Sequence, residues 1–266
     1  MALWLLNHLS TAALTVLVVG GAVTLSVAGS LLVRRRFPSL VAGEHNEMVG
    51  VVLGMFAAIY GIILAFVIVT LWEQLEETRT TVDTEATDVS LIVRDAASFP
   101  PGPRARMDKA VHDYLHAVVE RQWPHMRNGT ARHSVTAGQI KGLYTALQDY
   151  EPATESQRVF YEQASTMLND VAAQRRDRLA MAHRQLPPLL QVLVFGGALV
   201  IIPLTFLYGI RNRSMQLLFV GSVAALIGFS LLLVVVLDRP FAGDVRVSPA
   251  PYMEGSLARF WEGPRP

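Results

Sequence analysis

The sequence predicts an all-α integral membrane protein, with four transmembrane helices in two hairpins and a helical extramembrane insert between them. Three observations carry this reading. Charged residues make up 17% of the chain against 52% in the hydrophobic set, a deficit for a soluble domain. The deficit is local: Leu9–Val33, Met48–Trp72, Leu189–Ile210 and Met215–Leu237 contain no Asp, Glu, Lys, Arg or His. The polar segments between them carry helical spacing and no period-2 alternation, so no sheet is expected. A span needs roughly 20 apolar residues to cross ~30 Å of hydrocarbon, and all four stretches qualify.

The first hairpin occupies 1–72, with spans at 9–33 and 48–72. Its first span is not expected to be a cleaved signal peptide. It lacks a basic leader, its apolar run exceeds the usual ~7–15 residues, and Arg34-Arg35-Arg36 follow it like a stop signal. The second span opens on the polar cluster Glu44, His45, Asn46 and Glu47. Asn46 suits an N-cap and the glutamates suit the positive helix end, with a ligand site at a helix mouth as the other reading.

Two stripes run along the second span. Gly50, Gly54, Ala58, Gly61 and Ala65 are spaced for close helix packing in lipid. Val52, Phe56, Ile59, Ile63, Phe66 and Thr70 form the opposite, bulky stripe. That stripe either touches lipid or a neighbouring helix, or it faces an oligomer axis as a hydrophobic constriction that gates by dewetting.

The insert, 73–188, reads as helix nearly throughout. Leu75, Val82, Val89 and Ala96 repeat every seventh position, with Thr78, Ala86 and Ile92 or Val93 between them. This helix continues the second span and ends at "FPPGP". A second helix is expected over Arg104–Trp123, stopped by Pro124, and a third over Ala137–Tyr150. The fourth starts at a capping box, Thr154 with Gln157, and runs to Gln185 before Pro187-Pro188. Its apolar stripe, Met167, Leu168, Val171 and Leu179, is thin, and a second copy of the chain is expected to cover it. The second hairpin, 189–237, has spans at 189–210 and 215–237 joined by "RNRS", with Pro203 expected to kink the earlier one. In the tail, 238–266, Asp238, Arg239 and Pro240 read as a span terminator, followed by Phe241.

Several function classes drop out. A net charge of +1 gives no argument for nucleic acid, and with no cysteine there is no disulfide framework. No phosphate loop, dinucleotide fingerprint, nucleophile elbow or zincin motif is present, so neither an enzyme nor a cofactor is expected. No span holds an ionisable residue, which argues against a proton-coupled carrier. His112, His116 and Glu120 stand at i, i+4 and i+8, a spacing that can bind metal. They read more simply as a polar face beside Val111, Leu115 and Val118, and no metal is assigned. Arginines hug both short loops, which places those loops in the cytoplasm and the insert and termini outside the cell (inner) membrane.

The motifs "RRR…EHNEMVG", "AFVIVTLWEQLEETR", "VVERQWPHMRNG", "RRDRL" and "LDRPFAGDVRVSP" resemble, in this order, a bestrophin-like family of bacterial membrane proteins. That family is in turn similar to bestrophins, pentameric anion channels built as two membrane hairpins around a helical insert. "VTLWEQ" is similar to the tryptophan-rich end of the bestrophin pore helix, and Arg239–Asp244 to the proline–phenylalanine–glycine stretch after the last span. Two departures stand out. The acidic calcium-binding run is reduced to Asp244, followed by Val245 and Arg246, so calcium gating does not carry over. Bestrophins also keep the insert in the cytoplasm, opposite to what these arginines favour. The resemblance implies a homo-oligomeric ion channel in the lipid bilayer, with anions as the conducted species. The alternative is a non-conducting anchored sensor or scaffold.

Overall fold

The structure, a computed structural model, describes residues 2–262, with no β-strand among them. Along the chain run α1 (Ala2–His8), α2 (Thr11–Arg36), α3 (Asn46–Ala96), α4 (Pro101–His116), a π-turn (Ala117–Gln122), α5 (Trp123–Arg127), α6 (Ala137–Gln148), α7 (Glu155–His183), α8 (Pro188–Phe206) and α9 (Arg213–Leu237). The chain divides into two compact units. One takes the chain through Glu73, with Gln185–Arg239 and Gly243–Val245; the other takes Gln74–Arg184, Pro240–Ala242 and the segment from Arg246. Among the described residues, four helical stretches, within Thr11–Arg36, Asn46–Ala96, Glu155–Phe206 and Arg213–Leu237, are long and apolar enough to cross a membrane. The protein is an α-helical membrane protein.

In the first unit the span expected at 9–33 is the single helix α2, and the short helix α1 precedes it. Ser10 stands between them, and its hydroxyl caps α2 by accepting from the Ala13 N–H at 3.2 Å. α2 continues through all three arginines and stops at Phe37, because the residue before a proline avoids helical geometry. α9 starts at an Asn212 cap, whose side chain accepts from Ser214 N–H at 2.9 Å. α8 runs through Pro203 and ends at Phe206, short of the expected Ile210.

The helices of this unit approach closely where glycine permits it. A Cβ on Gly228 of α9 would lie 3.1 Å from Ala22 Cβ and 3.4 Å from Val19 Cα of α2. A Cβ on Gly29 of α2 would lie 2.9 Å from the Phe206 ring. The stripe expected to do this on α3 does not do so within the chain: Gly54, Ala58, Gly61 and Ala65 are exposed, and a Cβ on Gly54 or Gly61 would meet nothing within 4 Å.

In the second unit the heptad-like seam of α3 forms the centre: Leu75, Thr78, Val82, Ala86, Val89, Ile92, Val93 and Ala96 are all buried. α4 starts at Pro101, not Arg104, because proline is at home in a first helical turn. Nor does Pro124 stop the helix. A proline lacks the donor for the i−4 carbonyl and crowds it; the wider π-turn over Ala117–Gln122 gives the ring room, and the helix continues to Arg127. Thr154 caps α7 as expected, accepting from the Gln157 N–H at 3.2 Å. The Gln157 side chain reaches back to the N–H of Ala153, one residue before the cap. Leu168, Val171 and Leu179 are 0% exposed. Met167, the fourth member of the stripe, is half-buried; the stripe is largely covered inside one chain, so it no longer argues for a second copy.

Candidate functional site: the three faces of α3

The segment Met48–Trp72 is apolar on every side, so its sequence does not disclose which side packs. The structure separates three faces. Tyr60, Leu64, Val67 and Leu71, at helical spacing, are buried. Tyr60 anchors this face: its hydroxyl donates to the Val194 carbonyl at 2.7 Å, and its ring lies where a Cβ on Gly197 would sit, 2.4 Å away. Gly197 thus lets the ring reach the α8 backbone. None of these four residues was singled out from the sequence.

The bulky stripe flanks this seam on one side. Phe56, Ile59 and Ile63 share a groove of about 380 Å³ with Val192, Leu193, Gly196 and Val200 of α8. Ile63, Phe66 and Thr70 share a second, of about 460 Å³, with Leu186, Leu190 and Leu193. Val52 is half-buried, whereas Phe56, Ile59 and Phe66 are 45%, 56% and 76% exposed. The Thr70 hydroxyl donates to its own helix, to the Phe66 carbonyl at 2.9 Å. The one hydroxyl of this stripe thus spends its hydrogen within the helix. The small stripe flanks the seam on the other side; a Cβ on its Gly50 would lie 3.4 Å from the Tyr208 ring, whereas one on Gly54 or Gly61 would meet nothing within 4 Å.

At the mouth of α3, Glu44, His45 and Glu47 are exposed. Asn46 does not cap the helix. Its amide donates to the Gly209 carbonyl at 2.9 Å and its oxygen accepts from the Gly209 N–H at 2.8 Å, so it ties the two short loops of the first unit together. Arg34 reinforces this end, donating to Gln216 Oε1 and to the Ile210 carbonyl at 3.2 Å. Gln216 is buried and reaches Ser30 of α2.

The residues after the last span have separate tasks. Asp238 accepts from the Leu186 N–H, which holds the entry of α8 to the exit of α9, and burial pushes its carboxyl above the usual range. Arg239 lies 3.7 Å from Asp238. The Pro240 carbonyl accepts from Val247 N–H at 2.8 Å, and Phe241 packs edge-on against Trp123. Asp244 accepts from the Thr11 N–H at 2.7 Å and hydroxyl at 3.0 Å, at the positive end of α2.

The histidine set is used for contacts. His116 Nδ1 faces Glu120 Oε1 at 2.9 Å, its Nε2 faces the Phe260 carbonyl at 3.1 Å, and His112 leans toward Asp113. Among the described residues no group of three or more His, Cys, Asp or Glu is arranged to hold a metal.

Sequence reasoning also missed a buried polar centre in the second unit. Arg178 donates to both Glu85 oxygens, at 2.8 and 3.1 Å, and to Gln122 Oε1 at 3.1 Å. Tyr114 donates to Glu85 at 2.6 Å, and the guanidinium carbon lies 5.7 Å from the centre of the Trp123 ring and 5.9 Å from that of Tyr252. Burial, and then the Glu85 charge, pushes the Tyr114 phenol well above its ordinary range; burial does the same for Tyr252. A signal existed: Glu85 falls on the apolar seam of α3, where an acid requires a partner.

The comparisons fit this architecture. A family model described as Bestrophin-like domain matches residues 20–252. No curated protein matches the sequence. The fold is similar to the crystal structure of a bacterial bestrophin homolog from Klebsiella pneumoniae carrying an isoleucine-to-threonine mutation, with TM-score 0.71 and 12% identity over 92% of this chain and 99% of that one.

Proposed function

The chain belongs to the bestrophin-like family, and on that premise we propose that copies of it assemble in the cell (inner) membrane into an ion-conducting pore. The observation that carries this reading is the open apolar face of α3: Phe66 is 76% and Ile59 56% exposed, with no ionisable residue between Met48 and Trp72. Copies of α3 around one axis would line it with Phe56, Ile59, Ile63 and Phe66. Water leaves such a passage readily, so small changes in radius switch it between wet and dry. The small stripe, Gly54, Ala58, Gly61 and Ala65, supplies a smooth flank against which a neighbouring subunit packs. Anions are favoured by the resemblance to bestrophins alone. The arginines at 34–36, 211 and 213 favour cytoplasmic short loops, with the insert and termini outside.

Ion flux in proteoliposomes tests the constriction. Ile63→Ala and Phe66→Ala widen the passage, so they are expected to raise the flux and abolish its gating. Unchanged flux and selectivity in both variants sinks the constriction. A particle that stays monomeric and electrically silent favours an anchored scaffold instead. Reporter fusions at the termini test the sidedness.

A further inference from the structure

The last described stretch of the chain is held to the second unit by a small set of contacts centred on His116. Its ring stacks on Trp261 with centroids 4.1 Å apart. Trp261 Nε1 donates to the Tyr252 carbonyl at 2.9 Å, and Tyr252 is fully buried beside Arg178. Ser256 meets Ser90 at 2.6 Å, and Arg259 pairs with Asp108 at 2.5 Å.

The two nitrogens of His116 both face oxygen acceptors. Nδ1 points at the Glu120 carboxylate, 2.9 Å away, and Nε2 at the Phe260 carbonyl, 3.1 Å away. Neither oxygen carries a proton to give. A neutral imidazole has one N–H, so it satisfies one of the two and turns a lone pair toward the other. An imidazolium donates to both and adds a cation to the Trp261 stack.

We infer that His116 is a proton-operated clasp on the C-terminal segment: the protonated ring grips Phe260 and Trp261, and the neutral ring lets them go. Other charges bear on it. From α4, His112 lies with its ring 4.3 Å from that of His116 and opposes a second positive charge, but His112 has Asp113 beside it at 3.3 Å, and Asp113 is also held by Lys109. From the π-turn, Glu120 favours the charge. From the C-terminal segment, Arg259 is offset by Asp108, and Glu262 follows Trp261 in sequence.

The full chain in detergent or nanodiscs tests this by hydrogen exchange of the peptide covering Met253–Glu262, corrected for intrinsic rates with the same sequence as a free peptide. Protection is expected to fall roughly fivefold from mildly acidic to mildly alkaline pH, the size of one net hydrogen bond lost when an imidazolium becomes an imidazole. Two variants isolate the cause. His116→Asn removes the titrating ring, so the fall should vanish. Glu120→Gln turns one acceptor into a donor, so a neutral ring satisfies both partners and protection should stay high at pH ~8. pH-independent protection in the unmodified chain, or a fall that survives in His116→Asn, overturns the proposal. A Glu120→Gln chain that still loses protection at high pH overturns it as well.

Discussion

Arg178 and Glu85, 93 residues apart in sequence, meet through two parallel hydrogen bonds with both side chains 0% exposed. The pair is the centre of the second unit, since Tyr114, Gln122 and the rings of Trp123 and Tyr252 all turn toward it. Removing one partner leaves the other charge buried without compensation. Arg178→Ala and Glu85→Ala are each expected to destabilise the protein by about 3–5 kcal/mol. A chain with both Glu85→Ala and Arg178→Ala should lose much less than the sum of the single losses, because no lone charge remains. Thermal unfolding in detergent, followed by circular dichroism, measures this. Additive losses would mean that the pair does not act as a unit.

The same centre sets an alkaline limit. Burial holds the Tyr114 and Tyr252 phenols protonated well above the range of an exposed tyrosine. A pKa raised by folding contributes stability that is fully present below the unfolded value, about 10, and is lost as pH rises through it toward the folded value. The second unit is therefore expected to open above about pH 10, with phenolate absorbance rising together with loss of helical signal. Tyr114→Phe should move that transition to higher pH. Phenolate appearing well before helix loss would show that the two rings reach solvent without unfolding.

These two predictions rest on contacts that sequence conveys poorly. The four spans were legible because a run without charges has a single physical use at that length. The α3 seam from Leu75 to Ala96 was legible because its neighbours are polar and the contrast marks a face. The buried face Tyr60, Leu64, Val67 and Leu71 was not, because in Met48–Trp72 all faces are equally apolar and periodicity has nothing to contrast. The partner of Glu85 was hidden by distance along the chain. Asn46 was misjudged for another reason: capping is a local habit of the residue, while its actual partner, Gly209, lies 163 positions away.

Tyr60 and Gly197 give a third prediction. The hydroxyl bond to Val194 pins the ring, so it cannot swing aside for a methyl group placed 2.4 Å from it. Gly197→Ala is expected to cost about 1–3 kcal/mol through overpacking. Adding Tyr60→Ala should then cost less than it does in the unmodified chain, because the clash disappears with the ring. Thermal unfolding of the four chains of this cycle in detergent measures the coupling. Strict additivity would detach Gly197 from Tyr60.

Asn46 and Gly209 give the last. A Cβ on Gly209 would sit 2.5 Å from the Val41 carbonyl oxygen, 2.7 Å from Gly43 N and 2.8 Å from Gly43 Cα. All three are backbone atoms, so no rotamer change relieves the contact and the loops must separate. Gly209→Ala is therefore expected to be more harmful than Asn46→Ala, which loses two hydrogen bonds, about 1–3 kcal/mol in total. Asn46→Asp keeps the acceptor for the Gly209 N–H but turns a carboxylate oxygen toward the Gly209 carbonyl, 2.9 Å from the present nitrogen. It should be no better than alanine despite its near-identical shape. Thermal stability, with the rate of trypsin cleavage at Arg211 as a local probe, separates the three. If aspartate restores stability above alanine, the donated bond to the Gly209 carbonyl contributes nothing, and the accepted one alone holds the loops together.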